Sequence, residues 1–390
     1  MTFLMRPDLF SHHLDLAADR PADPRALPAV GGVYLVTDAS DRPILLACGE
    51  NLRRIVIHRL AAPPADRKSK RAQLADVAAR LWWRPTFSRF ETALVHWRIA
   101  RTLFPRDYRK RIGFGPAWFL RVDPGEHLPR FTAVREFRHD AARYAGPFPT
   151  RRSAEGWIHM LEDMFDLCRY YDVLEQTPAG RPCAYFEMGR CPAPCDGSLP
   201  LPDYRRMTAS ALAFTLGDHY PRRSALRQSM QTAAHGLAYE KAASIRQTLD
   251  RADALIQRPG HTHVTNLRAA RWLVIQRAGP ARRAEKSTLV KPFFLCGGAL
   301  DTGEPAAMTD LAAAVPRWIE TGQTLSPPPP ASREDETTCS ERLWLLSRFL
   351  FAGDRAPGLF LRLDQLPDSD TLLTTLHDRF RARRPTPPAE

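Results

Sequence analysis

The chain has 390 residues, of which 44% are hydrophobic and 25% are charged, a composition that excludes an intrinsically disordered protein. Its 56 Lys and Arg residues exceed its 43 Asp and Glu residues, which gives a formal net charge of +13 at pH 7. Only 6 of the basic residues are Lys. Because Arg binds phosphate through two donors at once, this excess favours a polyanion such as nucleic acid as the partner.

The first half of the chain predicts a small sheet with helices packed on it. Residues 32–50 predict a hairpin, with strands in GVYLVTD and ILLACGE and a turn in SDRP. Two segments with helical spacing follow, NLRRIVIHRLA and RFETALVHWRIARTLF. Two further strands, AWFLRVD and PRFTAVREF, then precede an amphipathic helix, RRSAEGWIHMLEDMFDLC.

The second half predicts helices followed by another small sheet. We expect two helices between residues 202 and 256, then two strands, RWLVIQRA and PFFLCGGALD. A Pro-rich stretch at 325–338 predicts a linker, since Pro cannot continue a helix or a central strand. Beyond it lie a helix, ERLWLLSRFLFA, and a strand, PGLFLRLDQL. The whole chain is therefore expected to be an α+β multidomain protein.

The N-terminus indicates the compartment. It carries acidic residues and histidines where a signal peptide would have an unbroken apolar run. No later segment approaches the roughly 18 apolar residues of a membrane span. We therefore expect a cytoplasmic protein with no membrane partner, in which thiols stay reduced.

Four of the seven cysteines are clustered in sequence. Cys168, Cys183, Cys191 and Cys195 have the spacing C-x14-C-x7-C-x3-C, whereas the other three are single and far apart. Four thiolates can close a tetrahedral zinc site or hold a four-iron cluster, and the spacing alone leaves both open. The alternative is four unrelated core cysteines.

Segments around these cysteines resemble one known family. RPCAYFEMGRCPAPCDG and YEKAASIR resemble UvrC, the nuclease subunit of bacterial nucleotide excision repair, and its shorter relative Cho. GVYLVTD with ILLACGENLRR is similar to the family's GIY-YIG nuclease opening, and AAHGLAYEKAASIRQTL to its UVR motif. The resembling segments cover about 28–258 in family order. The resemblance implies a [4Fe-4S] cluster on the four cysteines, with zinc as the alternative, and damaged duplex DNA and UvrB as partners.

The resemblance also implies a domain order. It begins with a small GIY-YIG-like mixed sheet with helices, continues with a helical Cys-cluster and UVR region, and ends with a small α+β domain. The predicted boundaries are 28–112 for the nuclease-type domain, 113–201 for linker strands and the Cys-cluster region, 202–258 for the UVR-type helical hairpin, 259–324 for a small β-containing region, 325–338 for the Pro-rich linker and 339–380 for a C-terminal helix and strand segment.

The UVR-like stretch has its own physical pattern. Gly236 can end one helix so that the next folds back as a hairpin. An apolar stripe is formed by Leu237, Ala238, Ala242, Ile245 and Leu249. The resemblance implies that this element binds UvrB through Leu237, Tyr239, Glu240, Ala242, Ala243, Ile245 and Arg246. The alternative is an amphipathic helix that packs only on its own domain.

The nuclease centre departs from the family pattern. The resemblance implies a tyrosine that helps to activate water, an arginine that stabilises the phosphorane-like charge and a glutamate that holds a divalent metal. Tyr34 matches the tyrosine, but Ile55 takes the arginine position and His96 the glutamate position. Arg54 is the candidate substitute for the arginine, although one residue is about 100° around a helix. His is a poor ligand for Mg²⁺, so we predict an inactive or severely impaired nuclease.

Whether the chain is an enzyme therefore stays open at this stage. In one hypothesis Glu91 supplies a carboxylate, or His96 binds Mn²⁺, and the chain is an active Cho-like Mg- or Mn-dependent endonuclease that incises the damaged strand beside a lesion. In the other, which we favour, the chain binds damaged DNA and UvrB without cutting. A third hypothesis, a DNA binder that senses redox state through its cluster, is supported by the cysteines alone.

Overall fold

The computed structural model describes residues 8–16, 26–60, 74–258, 260–277, 288–326, 332–352 and 358–380. It is an α+β structure with several sheets, as predicted. The strands are β1 (His12–Asp15), β2 (Gly32–Thr37), β3 (Pro43–Gly49), β4 (Arg80–Pro85), β5 (Trp118–Val122), β6 (Thr132–Val134), β7 (Arg143–Phe148), β8 (Thr265–Asn266), β9 (Arg271–Arg277), β10 (Leu289–Cys296), β11 (Ala299–Thr302), β12 (Ala306–Ala307) and β13 (Leu359–Arg362).

The helices connect and cover these strands. They are α1 (Leu52–Leu60), α2 (Arg89–Leu103), α3 (Tyr108–Arg111), α4 (Arg151–Phe165), α5 (Tyr171–Leu174), α6 (Ala184–Glu187), α7 (Leu201–Thr215), α8 (Tyr220–His235), α9 (Tyr239–Ile256), α10 (Leu311–Thr324), α11 (Arg333–Leu350) and α12 (Ser369–Phe380). No helix in the described ranges combines the length and apolar character needed to cross a bilayer.

The first sheet has the strand order β1-β4-β2-β3. Each of its described pairings is antiparallel. This differs from the mixed sheet that the resemblance implies. The short turn between β2 and β3 allows only antiparallel pairing, and β4 enters on the other side of β2 in the opposite direction to it. The hairpin predicted at 32–50 is confirmed.

The pleat of β2 separates its side chains between two helices. Val33 and Leu35 pack with Val95 of α2, whereas Tyr34 and Val36 lie in the cluster that contains buried residues of α1. This alternation follows from the two-residue period of a strand. The two faces of the sheet therefore carry different sets of the residues that we assigned to the nuclease centre.

The second sheet positions the cysteines. Its order is β6-β5-β7-β8, and α4 packs on it through buried side chains that include Trp157 and Leu161. Thr150 caps α4 at its N-terminus, and Asp166 ends it in the left-handed region with φ 51°. Asp tolerates that conformation better than most residues. The resulting turn leads the chain directly into Cys168.

The helical region after the cysteines contains three helices rather than the two predicted. The break between α7 and α8 coincides with Gly217, whose φ of +114° suits glycine. Gly236 ends α8 as predicted but has an ordinary φ of −81°. The left-handed position is taken by the next residue, Leu237, with φ 59°.

The third sheet has the order β11-β10-β9-β13, with β12 paired to β10. One face packs on α10 and α12, and the other contributes to a core shared with α2, β5 and α11. Helix α11 begins at Arg333, inside the linker predicted at 325–338, because Ser332 caps it and acidic residues fill its first turn. Residues 327–331 of that linker lie outside the described ranges. The other domain boundaries stay predictions.

Candidate nuclease-type centre and cysteine cluster

Tyr34 is a core residue in this fold. Only 1% of its surface is exposed, and the charged side chain that interacts with its hydroxyl is that of Arg59. Burial raises the pKa of the Tyr34 phenol, and the charge of Arg59 opposes that rise. A tyrosine that activates water must meet water and phosphate, so this placement is unfavourable for that role.

Ile55 packs beside Tyr34 in the same apolar cluster. Its side chain crosses β3 where Gly49 leaves room, since a Cβ on that glycine would lie 2.0 Å from Ile55 Cδ1. The neighbouring Arg54 is exposed, and its backbone N–H donates to Asn51 Oδ1 at 3.0 Å. Arg54 therefore lies on the solvent side of α1 and does not replace the missing arginine beside Tyr34.

His96 lies on α2, across the sheet from Tyr34. Its Nδ1 is 3.4 Å from the Sγ of Cys48, and Cys48 pairs with Val33, whose side chain packs with α2. Burial and the nearby charge of Arg348 lower the pKa of His96 to about 4, so its imidazole is neutral at pH 7. Its buried Nε2 has no hydrogen-bond partner among the described residues. The structure therefore does not bring His96 and Tyr34 into one site.

Glu91, the alternative carboxylate, already has partners. Ser88 caps α2 by accepting the Glu91 backbone N–H at 3.3 Å, and Glu91 Oε2 accepts the backbone N–H of Phe87, the residue before the cap, in a variant of the capping box. Its other oxygen accepts from Lys291 Nζ at 2.9 Å. No local pattern indicates the pair with Lys291, because 200 positions separate the two residues. Both carboxylate oxygens are thus held by protein groups.

The four predicted cysteines meet in one region. Cys168 follows α4, Cys183 is the N-cap of α6, Cys191 lies in the next loop and Cys195 in the short 3-10 turn at 194–196. Cys191 and Cys195 are 7% and 3% exposed. The loop between them is fixed by Ala193, whose φ is 54°.

The thiols also influence one another. A hydrogen bond between Cys168 and Cys191 lowers the pKa of Cys191 to about 6 and raises that of Cys168. Burial raises the pKa of Cys195, and Cys191 and Cys183 add to the rise. Each thiol is therefore close to at least one other, as a shared ligand set requires.

The chemistry of this donor set limits the groups that it could hold. Across the described ranges, no three His, Cys, Asp or Glu side chains are grouped closely enough to hold one metal ion. Zinc needs its ligands around one point, whereas a four-iron cluster takes one thiolate at each iron, so its four ligands stand further apart. Four thiols without an oxygen or nitrogen donor are the ligand chemistry of a four-iron cluster and also of a structural zinc site.

The α8–α9 hairpin divides the predicted partner-binding residues into two groups. Ala242 and Ile245 are half-buried and Leu249 is buried, so this part of the predicted stripe packs within the chain itself, whereas Leu237 and Ala238 are exposed. The exposed group contains Leu237, Tyr239, Glu240, Ala243 and Arg246. Leu237 and Tyr239 are 70% and 64% exposed. The last four residues of the group lie within about 120° of one another around α9 and so share one face of it.

Comparison with known proteins gives a match over the middle of the chain. Residues 117–214 match the family described as UvrC/Cho excinuclease, middle domain. The chain is 32% identical over 234 residues to UvrABC system protein C of Trichlorobacter lovleyi, covering 60% of this chain and 38% of that protein. The corresponding protein of Syntrophus aciditrophicus is 29% identical over 234 residues, with coverages of 59% and 37%. Residues 117–214 are thus similar to the UvrC/Cho middle domain, and the chain as a whole is similar to part of UvrC.

The UvrC-family match is uneven along the chain. Its middle-domain part runs from β5 to α7 and includes all four clustered cysteines, whereas Tyr34, His96 and the α8–α9 hairpin lie outside that part. The chain spans less than two fifths of the length of these UvrC relatives. No solved structure matches it.

Proposed function

We propose that this protein is a non-catalytic factor of nucleotide excision repair that binds damaged DNA and UvrB. Its relatives are named as component C of the UvrABC system, and the chain carries their middle domain. The net charge of +13 suits a polyanionic partner. Because the chain spans only part of those relatives, both the pathway and the partners belong to the proposal.

The proposed absence of catalysis rests on one observation. The residues of the nuclease-type centre lie on two different faces of the sheet. Phosphodiester hydrolysis by this type of site needs a carboxylate for a hard divalent metal and a cation for the developing charge. Here Tyr34 is buried on one face of the sheet, and neutral His96 lies on the other. Glu91 is held by Lys291 and by the capping box. The sheet is thus proposed to serve as a scaffold.

The cysteines carry the second part of the proposal, a [4Fe-4S] cluster. The ligands would be Cys168, Cys183, Cys191 and Cys195. A bound cluster would cross-link the end of α4, the start of α6 and the turn at 194–196, in the way that a structural metal contributes folding energy. The loops around these cysteines are rigid, since Ala193 and Gly197 hold left-handed conformations next to the proposed ligands.

The third part of the proposal is UvrB binding through the exposed face of α9. Tyr239, Glu240, Ala243 and Arg246 are all exposed. Small Ala243 allows close approach of another helix, and the flanking Tyr239 and Arg246 add an aromatic and a charged contact. This surface is separate from both the sheet and the cysteines.

An incision assay tests the central part of the proposal. A lesion-bearing duplex is preloaded with UvrA and UvrB and offered wild-type protein, Tyr34→Phe or the hydroxyl control Tyr220→Phe, with Mg²⁺ and Mn²⁺ in parallel. We expect no incision above background by any of the three, together with retention of the protein on the UvrB–DNA complex. Cutting by wild type that disappears only in Tyr34→Phe would instead support the alternative, an active Mg- or Mn-dependent endonuclease.

A further inference from the structure

The loop between Cys183 and Cys191 displays apolar side chains to solvent. Phe186 is 43% exposed and Met188 61%, and nearby Tyr170 is 46% exposed. Tyr185 completes the group, with its ring centroid 5.8 Å from that of Tyr170. These four residues are called the aromatic patch. Several exposed apolar residues in one small area mark a contact surface rather than ordinary surface scatter.

Arginines surround the aromatic patch. Arg169 lies over the Tyr185 ring at 4.3 Å and is fixed there by an ion pair with Asp163 at 2.5 Å. Arg181 and Arg190, at the two ends of the same loop, are exposed. Glu187 is the one acidic residue between positions 181 and 195. The segment that carries Tyr185, Phe186 and Met188 therefore has an excess of positive charge, which complements a polyanion.

We propose that the aromatic patch binds unpaired bases of a DNA strand by stacking, while Arg181 and Arg190 contact its phosphates. Aromatic rings next to basic side chains are the recurrent arrangement of surfaces that bind single strands without sequence preference. Paired bases are already stacked inside a duplex and do not offer their faces to the patch. This inference rests on the proposed DNA binding and deepens it, because it identifies the form of DNA that the cysteine region engages.

The test compares single-stranded and blunt duplex oligonucleotides of equal length by fluorescence anisotropy over a range of salt concentrations. Wild type is compared with Phe186→Ala, Phe186→Trp and Arg190→Gln. The matched control is Tyr220→Ala, which removes a ring that is 76% exposed on α8. Visible absorption is recorded for each variant, to establish that the cysteine region is unchanged.

We expect Phe186→Ala to weaken single-strand binding on the order of tenfold, with duplex binding changed less than about twofold and the salt slope unchanged. Phe186→Trp retains a stacking ring and should bind as wild type does. Arg190→Gln should weaken both forms of DNA and reduce the salt slope by about one charge. Tyr220→Ala should behave as wild type.

Three results would overturn the inference, and they have different meanings. If Phe186→Ala binds single strands as wild type does, the patch does not stack on bases, although the proposed DNA binding survives. If that variant binds single strands normally but loses retention on UvrB, the patch is a protein-docking surface. If wild type binds neither form of DNA, the proposed function fails together with the inference.

Discussion

Cys191 is the residue whose replacement tests the cluster most directly. It is 7% exposed and interacts with both Cys168 and Cys195. Protein purified without oxygen should be brown, with broad visible absorption, bound iron and bound sulfide. In Cys191→Ser we expect most of the iron and the colour to be lost, because a hydroxyl is a much weaker iron ligand than a thiolate.

The control for this measurement is Cys48→Ser. Cys48 is exposed and lies beside His96, away from the cluster, so its replacement should keep both iron and colour. Colourless wild-type protein with stoichiometric zinc would contradict the iron–sulfur proposal and favour the zinc alternative.

Single residues also show which predictions depend on local sequence. The spacing of the four cysteines was enough to expect them together, because a short Pro-rich loop can connect them in few ways. The burial of Tyr34 could not be predicted in the same way, since strand position alone does not show which face a helix covers. The role of Glu91 was likewise missed, because its partner Lys291 comes from a strand that is distant in sequence.

The exposed face of α9 can be tested by a single substitution. Ala243→Glu places a charge and added bulk at the centre of that face, so it should reduce retention on UvrB by tenfold or more. The matched control is Ser244→Glu, which adds the same charge at another exposed position, about 100° around the helix. Ser244→Glu should bind UvrB within about twofold of wild type.

Pull-down on immobilised UvrB, with circular dichroism to compare helix content, distinguishes the two variants. Equal binding by Ala243→Glu and wild type would remove the UvrB assignment from α9. Equal loss in both variants would point to a general charge effect rather than to a defined face.

The same hairpin shows how far an element can be predicted. Helical periodicity located α9 and its apolar stripe correctly, but it could not show whether the stripe meets UvrB or the rest of the chain. The structure buries Leu249 and half-buries Ala242 and Ile245 within the protein. Strands β1, β4 and β7 were not predicted, since each is recognised mainly through its pairing with a strand that is distant in sequence.

One core joins segments that the sequence pattern assigns to separate domains. Phe90 of α2, Phe119 of β5, Phe293 of β10 and Leu346 of α11 belong to the same buried cluster. Composition shifts and the Pro-rich stretch indicated boundaries, yet they contain no information on which apolar faces meet. Helix α2 of the nuclease-type region and helix α11 therefore share buried contacts, although they are far apart in sequence.

Glu341 of α11 is the polar link in this core, and its side chain is fully buried. It accepts hydrogen bonds from Trp97 Nε1 and from Arg109 Nε, each at 2.7 Å, and from the Tyr108 hydroxyl. Trp97 and Glu341 are 244 positions apart. The buried carboxylate thus connects α2 and α3 to α11.

Glu341→Ala leaves a buried indole and a phenol without an acceptor and a guanidinium without its counter-ion. We expect a loss of about 3 kcal/mol in the free energy of unfolding, the lower end for a broken buried ion pair, because Arg109 is half-exposed and can regain water. Glu334→Ala removes an ion pair with Arg101 in which the carboxylate is 82% exposed, so it should cost less than about 1 kcal/mol. Urea unfolding of wild type and both variants measures these losses in the free energy of unfolding. An equal small loss in both variants would show that Glu341 does not hold α2 and α3 to α11.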